Sequence, residues 1–387
     1  MAEIRTLNKI SERGTEILTR AGWEVSGDFQ NPEGILVRSA SMEDFVFNPA
    51  LLAVARAGAG TNNIPVARCT QSGIVVFNTP GANAEAVKEL AICAIILASR
   101  DVLGGVEWVR SIAGRGSEIP ALVEKEKGRF VGPEIGGKSL GVVGLGAVGT
   151  RVANAALELD MEVWGYDPFL SVDAAWQLSR EVHHAMDLDA IFKNCDYITL
   201  HVPYLPETYH IIGAGAIAKM RDGARLINLA RGELVSDEDV LKGLKSGKIA
   251  RYVTDFPNGN LAAAPGVIPL PHLGASTPES EEKCAVMAAK QLLDYLENGN
   301  IKNSVNLPDV SLDRTGSARL CVIHRNVPRM ITSFLERIGE RNINVENMIN
   351  KAQGDFSYTL IDTDAAVSDG IVTAISEMEG VVRVRVL

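Results

Sequence analysis

The run Gly144-Leu145-Gly146-Ala147-Val148-Gly149 constrains this chain more than any other feature, because of what stands on either side of it. It follows the apolar segment "LGVV" and opens the helical pattern "AVGTRVANAALEL", and Asp167 ends the next strand-like run, "EVWGYD", 18 residues after Gly149. Glycine at 144 permits a tight turn, glycine at 146 lets a pyrophosphate approach the backbone, and glycine at 149 lets helix and strand pack closely. The helix that Ala147 and Val148 begin offers free N–H groups and a partial positive charge to the phosphates. Asp167 is expected to accept hydrogen bonds from the adenosine ribose and to repel a 2′-phosphate. Pro168 and Phe169 supply no compensating cation, so the expected cofactor is NAD rather than NADP.

The segments around this fingerprint alternate strand and helix patterns. "SLGVVGLG", "EVWGYDP", "CDYITLHVP", "ARLINLARG", "ARYVTDFP" and "VIPLPHLGAS" give six strand candidates separated by helical patterns, which predicts a doubly wound α/β sheet. A smaller α/β layer precedes it, with "GILVRSAS", "LLAVARAGAG" and "GIVVFNTPGAN" each ending in turn residues. Residues 84–100 are apolar nearly all round and read as a long buried helix after a possible Asn83 cap. After residue 316 the order strand, helix, strand, strand, helix, strand predicts a βαββαβ, ferredoxin-like module. The expected architecture is therefore α/β: two Rossmann-like doubly wound domains and a C-terminal βαββαβ module. The expected boundaries are 1–98 with 277–300, 99–276, a linker at 301–316, and 317–387.

Composition narrows the class. The 387 residues fit two or three domains, and 46% hydrophobic with 22% charged residues excludes disorder. Lys+Arg 38 against Asp+Glu 48 leaves a net charge of −10 without a basic cluster, so neither nucleic acid nor an anionic membrane is expected as a partner. The N-terminal residues show no basic segment followed by an apolar one. The five cysteines are scattered without a C-x-x-C pair, which excludes a cysteine-only zinc site; no metal is expected, and a cytoplasmic location is.

Hydride transfer from a secondary alcohol needs a base and, for a 2-hydroxy acid, a cation to fix the carboxylate. Of six histidines, His272 alone follows a late strand of the cofactor domain in a glycine-flanked loop, and Arg231 ends the strand "RLINLA" with Gly232 behind it. Strand C-termini at the crevice are where such folds place reacting groups. A capped structural histidine and a surface arginine are the plainer alternatives. In the first domain, Arg38 with Ser39 and Arg56 with Ala57 and Gly58 stand at successive strand ends. There they could take a phosphate through guanidinium groups and turn amides, or merely cap strands. Lys125 and Lys127 read as a solvated face.

The segments "LGVVGLGAVG", "YDP", "HVPYLPET", "INLARGELV", "TDF" and "PHLGAST" resemble the D-isomer-specific 2-hydroxyacid dehydrogenases over roughly residues 30–300. "LVRSAS", "RAGAGTNNI", "NTPGAN" and the C-terminal module are more closely similar to that family's 3-phosphoglycerate dehydrogenase branch, which catalyses the first step of L-serine biosynthesis. The resemblance implies Arg231 as the carboxylate-binding residue and His272 as the acid/base. It also implies NAD contacts at Thr79, Ala147, Val148, Asp167, Pro203, Thr208, Leu229, Ala230, Arg231, Asp255, His272 and Gly274.

One departure stands out. The family usually carries a glutamate a few residues after the position of Asp255, and here Phe256 to Leu261 contain no carboxylate. The C-terminal module resembles an ACT domain, which binds amino acids at dimer interfaces. His324, Asn326 and Asn344 match its serine-binding positions, with Arg329 where the family has glycine. L-Serine as effector, or a purely dimerising role, and a homodimer or homotetramer are the expectations that follow. Alternatives are a hydroxypyruvate, glyoxylate or D-lactate reductase of the same family, and an NAD(H)-sensing binding protein of the corepressor kind.

Overall fold

The computed structural model describes residues 2–387, and the chain divides into two compact units, residues 1–83 with 278–387 and residues 84–277. The second unit is built on a seven-stranded, wholly parallel sheet. At its centre Ser139–Val143 and Tyr197–Leu200 lie side by side, and strand order runs outward from that pair in opposite directions. This is the switch point of a doubly wound sheet, with a crevice at the strand C-termini. Six of the strands match the sequence expectation. The seventh, His183–His184, is a two-residue edge too short to leave a pattern.

The helix Ala84–Ser99 belongs to this unit, although the expected boundary put it with the first domain. Its buried Ala91, Ala94, Ile95 and Ala98 recur at the spacing of one helix face, and they share a core with Leu140, Val142, Ile227 and Val253 of the sheet. Small side chains here let helix and sheet approach closely, which a nearly all-apolar sequence does not by itself reveal.

The first unit holds a five-stranded parallel sheet in the order Glu24–Ser26, Glu3–Leu7, Gly34–Val37, Ala53–Arg56, Val75–Phe77. The helix Pro278–Asn298 covers one face, with glutamates 279 and 281 in its first turn, where the helix dipole favours negative charge. Its buried Cys284, Ala288, Leu292, Tyr295 and Leu296 pack on Ile4, Leu36 and Phe77. Each large apolar side chain buried in this way contributes about 1.5–3 kcal/mol.

The C-terminal module is a four-stranded antiparallel sheet with Val345–Gln353 and Val381–Val386 at its edges and Phe356–Thr363 beside Ala318–Arg325 at the centre. That order is the ferredoxin-like one for a βαββαβ chain. One face packs two helices through Leu320, Val322, Ile361, Phe334 and Ile375. The alternate residues Cys321, Ile323, Tyr358 and Leu360 share the first sheet's core. Residues 301–316 are an ordered arm rather than a free tether: Asn306 accepts the Val76 N–H and donates to the Ile74 carbonyl, and Ile301 bridges Val310.

Candidate active site

The glycine loop has the geometry that its sequence requires. Gly144 sits at φ +91, and a Cβ there would come within 2.7 Å of the His201 carbonyl oxygen. A Cβ on Gly149 would lie 1.8 Å from the Gly144 carbonyl oxygen, so any side chain would force helix and strand apart. A Cβ on Gly146 would meet nothing within 4 Å. That open space lies at the N-cap of the helix Ala147–Leu157, where no side chain caps the amides. Asp167 ends the neighbouring strand half-buried; its Oδ2 accepts the Leu145 N–H at 2.9 Å and its Oδ1 accepts the Phe169 N–H at 2.8 Å. An uncapped helix start, an open glycine and a fixed carboxylate together suit a dinucleotide.

Three neighbouring strands carry the candidate chemistry. Ala224–Asn228, Ile249–Thr254 and Val267–Pro269 are adjacent and parallel, so Arg231, Asp255 and His272 all follow strand ends on one edge of the sheet. Buried Asn228 shapes the first turn, accepting the Ala230 N–H and donating to the Arg231 carbonyl. Arg231 is exposed, its Nη1 donating to the Ala230 carbonyl at 2.6 Å, and Leu229 is buried behind it. His272 is exposed at φ +56, a left-handed conformation uncommon for a residue with a Cβ.

The buried Asp255 carboxylate enforces that conformation by accepting the Leu273 N–H at 2.8 Å and the Gly274 N–H at 2.7 Å. Asp255 therefore builds the histidine loop. The imidazole's ring neighbour is Phe256, centroids 4.8 Å apart. The segment from which the carboxylate is missing folds back onto the start of the preceding helix, Asp237–Ser246: the Asn258 amide donates to Asp237, and its Oδ1 accepts the N–H groups of Asn260 and Leu261. A cavity of about 600 Å³ lies there, lined by Tyr209, Gly232, Glu233, Phe256, Asn258 and Asn260 among others. Thr208 closes its own turn, its hydroxyl donating to the Pro203 carbonyl and accepting the Leu205 N–H. Asn228 and Phe256 were not singled out from sequence, since an Asn at a strand end and a core-type aromatic carry no specific signal.

In the first unit, Thr79 is fully buried with its hydroxyl unpartnered among the described residues, which leaves a donor and acceptor for a ligand. Arg38 pairs with Glu281 at 2.6 Å on a half-exposed surface. Arg56 does not extend as a free cation: its Nε donates to the Arg38 carbonyl at 3.0 Å and its Nη1 to the Gly60 carbonyl, bracing the loop between them. Nor do the expected turn amides stand free. The Ala57 N–H bonds to the Val37 carbonyl, the Gly58 N–H to the Arg56 carbonyl, and the Ser39 N–H to Asn8 Oδ1. Lys127 pairs with Glu124 on an exposed face.

The C-terminal trio does not converge within one chain. His324 lies opposite Ser357 on the central strand, whereas Asn344 precedes Val345, which lies opposite Thr363 at the far end of the same strand. Six rungs separate the two pairings, about 20 Å at the rise of a β-strand. Asn326 donates to the Gly354 carbonyl at the His324 end. His324 is buried, its Nδ1 on the Arg325 carbonyl and its Nε2 on Thr359 Oγ1, which in turn bonds Asn350. Burial lowers this imidazole's pKa below the usual histidine range, against the opposing effect of its hydrogen bonds. Arg329 stands at φ +70, a left-handed conformation that glycine adopts without strain and arginine does not.

Residues 94–274 match the family of the D-isomer specific 2-hydroxyacid dehydrogenase, NAD binding domain. D-3-phosphoglycerate dehydrogenase of Haemophilus influenzae is 30% identical over 358 residues, covering 88% of this chain and 82% of that protein. The enzyme of the same name from Archaeoglobus fulgidus is 32% identical over 317 residues, 79% of this chain. The alignment takes in only 58% of that relative's length. Among solved structures, NAD+-bound 3-phosphoglycerate dehydrogenase of Entamoeba histolytica aligns with a TM-score of 0.62 at 27% identity, over 79% of this chain and 98% of that one. An NADPH-dependent glyoxylate/hydroxypyruvate reductase of Sinorhizobium meliloti shares the fold at TM-score 0.64 and 21% identity, over 79% and 98%. No helix among the described residues is long and apolar enough to cross a membrane.

Proposed function

Since the chain belongs to the D-isomer-specific 2-hydroxyacid dehydrogenase family, with residues 94–274 as its NAD-binding domain, we propose that it oxidises 3-phosphoglycerate to 3-phosphohydroxypyruvate, the first step of L-serine biosynthesis. The observation that carries the reading is the placement of Arg231 and His272 after two strands of one sheet edge, with the strand of Asp255 between them. NAD, when bound, supplies the hydride acceptor. Arg231 holds the substrate carboxylate through its guanidinium fork, which fixes the C2 hydrogen and hydroxyl in orientation. His272 accepts the hydroxyl proton as the C2–H bond breaks, and in the reverse direction returns it to the carbonyl oxygen. The products are the ketone, reduced cofactor and one proton. Asp255 keeps the imidazole presented, and Arg38 is the cation for the phosphate.

The C-terminal module is read as an ACT-type regulatory domain. His324 with Asn326 can meet Asn344 around one L-serine only if two copies of the chain each contribute, which makes a homodimer the smallest competent assembly. Calorimetry with L-serine tests this part, and a silent titration leaves dimerisation as the module's role.

An NADH-linked assay comparing 3-phosphohydroxypyruvate with glyoxylate and pyruvate tests the central reading. A kcat/KM preference for the phosphorylated acid of about a hundredfold or more is expected, with NADH preferred over NADPH. Equal rates on glyoxylate would move the reading to a reductase of the same family, and cofactor binding without turnover of any of the three acids would favour a sensor.

A further inference from the structure

Phe256 stands between the two residues that the proposed reaction requires. Its strand, Ile249–Thr254, is the middle one of the three, flanked by the strand that leads to Arg231 and the strand that leads to His272. Its ring packs on the His272 imidazole at 4.8 Å between centroids, planes inclined at 58°. On the other side its Cβ lies so close to Gly232 that a Cβ there would come within 3.3 Å of it. Gly232 directly follows Arg231, so one side chain packs on the imidazole and borders the turn that carries the guanidinium.

His272 needs such support. Asp255 fixes the loop backbone through the amides of Leu273 and Gly274 and not the ring; among the described residues His272 accepts from Ser276 Oγ through its carbonyl, and no hydrogen bond of its ring is seen. An exposed imidazole anchored only at its Cα samples several rotamers, and proton transfer requires one of them. The residues after Phe256 supply no carboxylate to choose it, and Asn258 is tied to Asp237 instead.

We propose that Phe256 is a positioning residue of the dehydrogenase site, whose ring selects the reactive orientation of His272 and whose Cβ sets the distance to the Arg231 turn. The inference deepens the reading given above and rests on it.

The test compares wild type with Phe256→Leu, which keeps an apolar side chain but removes the ring, and with Phe256→Tyr, which restores it. Steady-state kinetics are run with NADH and 3-phosphohydroxypyruvate. Phe256→Leu is expected to lower kcat about five- to tenfold, the scale of an aromatic pair contact. The KM for NADH should stay within twofold, and Phe256→Tyr should recover most of the loss. The imidazole resonances of His272, identified by their disappearance in His272→Gln, should shift in Phe256→Leu as the ring current is removed, and return in Phe256→Tyr.

A merely structural role predicts instead that kcat falls only as far as the loss of folded protein explains, in step with thermal stability, and that Phe256→Tyr recovers kcat no further than it recovers that stability. An active wild type with an unchanged kcat in Phe256→Leu overturns the positioning role alone, as do unmoved His272 resonances. A wild type inert toward every 2-oxo acid overturns the dehydrogenase reading and the positioning role with it.

Discussion

Asp255 grips Gly274: its Oδ2 accepts the Gly274 N–H at 2.7 Å while its Oδ1 accepts the Leu273 N–H at 2.8 Å, with the carboxylate almost wholly removed from solvent. Two charge-assisted hydrogen bonds from one buried group make the histidine loop a fixed part of the sheet edge. Asparagine at this position would keep one acceptor and turn an NH2 toward a backbone N–H. Asp255→Asn is expected to destabilise the protein by about 2–3 kcal/mol and to lower kcat at least tenfold, because His272 leaves its left-handed conformation. Thermal unfolding together with single-turnover kinetics checks this, and an active, equally stable variant would show that the loop holds itself.

Arg38 meets Glu281, not a free surface, in the first unit. A half-exposed pair of this kind contributes at most about 1 kcal/mol, so a phosphate bound at Arg38 as proposed would displace Glu281 at modest cost. Glu281→Gln should therefore lower the KM for 3-phosphohydroxypyruvate by up to about fivefold and leave the KM for glyoxylate unchanged. An equal change for both acids would take Arg38 out of phosphate binding.

Stability should fall in mildly acidic solution on account of His201. Burial pushes its imidazole down from 6.5 to about 4, and its Nε2 bonds Thr199 Oγ1 at 3.0 Å. The unfolded chain takes up this proton near pH 6.5 while the folded protein refuses it until about pH 4. The contribution is thus complete above pH 6.5 and is lost as pH falls through that window. Denaturant unfolding between pH 7 and 4 should show a loss of about 1–3 kcal/mol that His201→Gln removes, and a parallel profile in the variant would refute the assignment.

The buried Arg319–Asp362 pair ties the C-terminal module to the arm. Arg319 Nε and Nη2 donate to the two carboxylate oxygens at 2.6 and 2.7 Å, and Nη1 donates to the Asn298 and Leu312 carbonyls. Burial by itself would raise the Asp362 pKa, but hydrogen bonds from Arg319 and Thr315 overcome it and hold the pKa below the usual carboxylate range. Removing one partner leaves the other charge buried alone, so Asp362→Ala should cost about 3–5 kcal/mol. Calorimetric unfolding measures it, and a loss below 1 kcal/mol would mean that the pair is hydrated in solution.

Arg329 pays for a left-handed backbone that glycine adopts freely. Arg329→Gly should raise stability by about 0.5–1 kcal/mol, read as a higher thermal midpoint of the C-terminal module. A lowered midpoint would mean that the arginine side chain contributes more than its backbone costs.

Whatever depends on residues close along the chain was legible in their order alone. Glycine at 144, 146 and 149 between an apolar strand and a helix admits one local structure, and turn chemistry at strand ends drew attention to Arg231 and His272 because a parallel sheet brings its strand C-termini to one edge. Alternating patterns likewise fixed the βαββαβ order after residue 316. Tertiary structure decided what each side chain faces, since hydrogen bonds and ring contacts between distant segments depend on register and packing that no spacing encodes. Only folding assigned Asp255 to two amides, paired Arg38 with Glu281, turned Arg56 inward to brace its own loop, set Phe256 against His272 and put the length of a strand between His324 and Asn344.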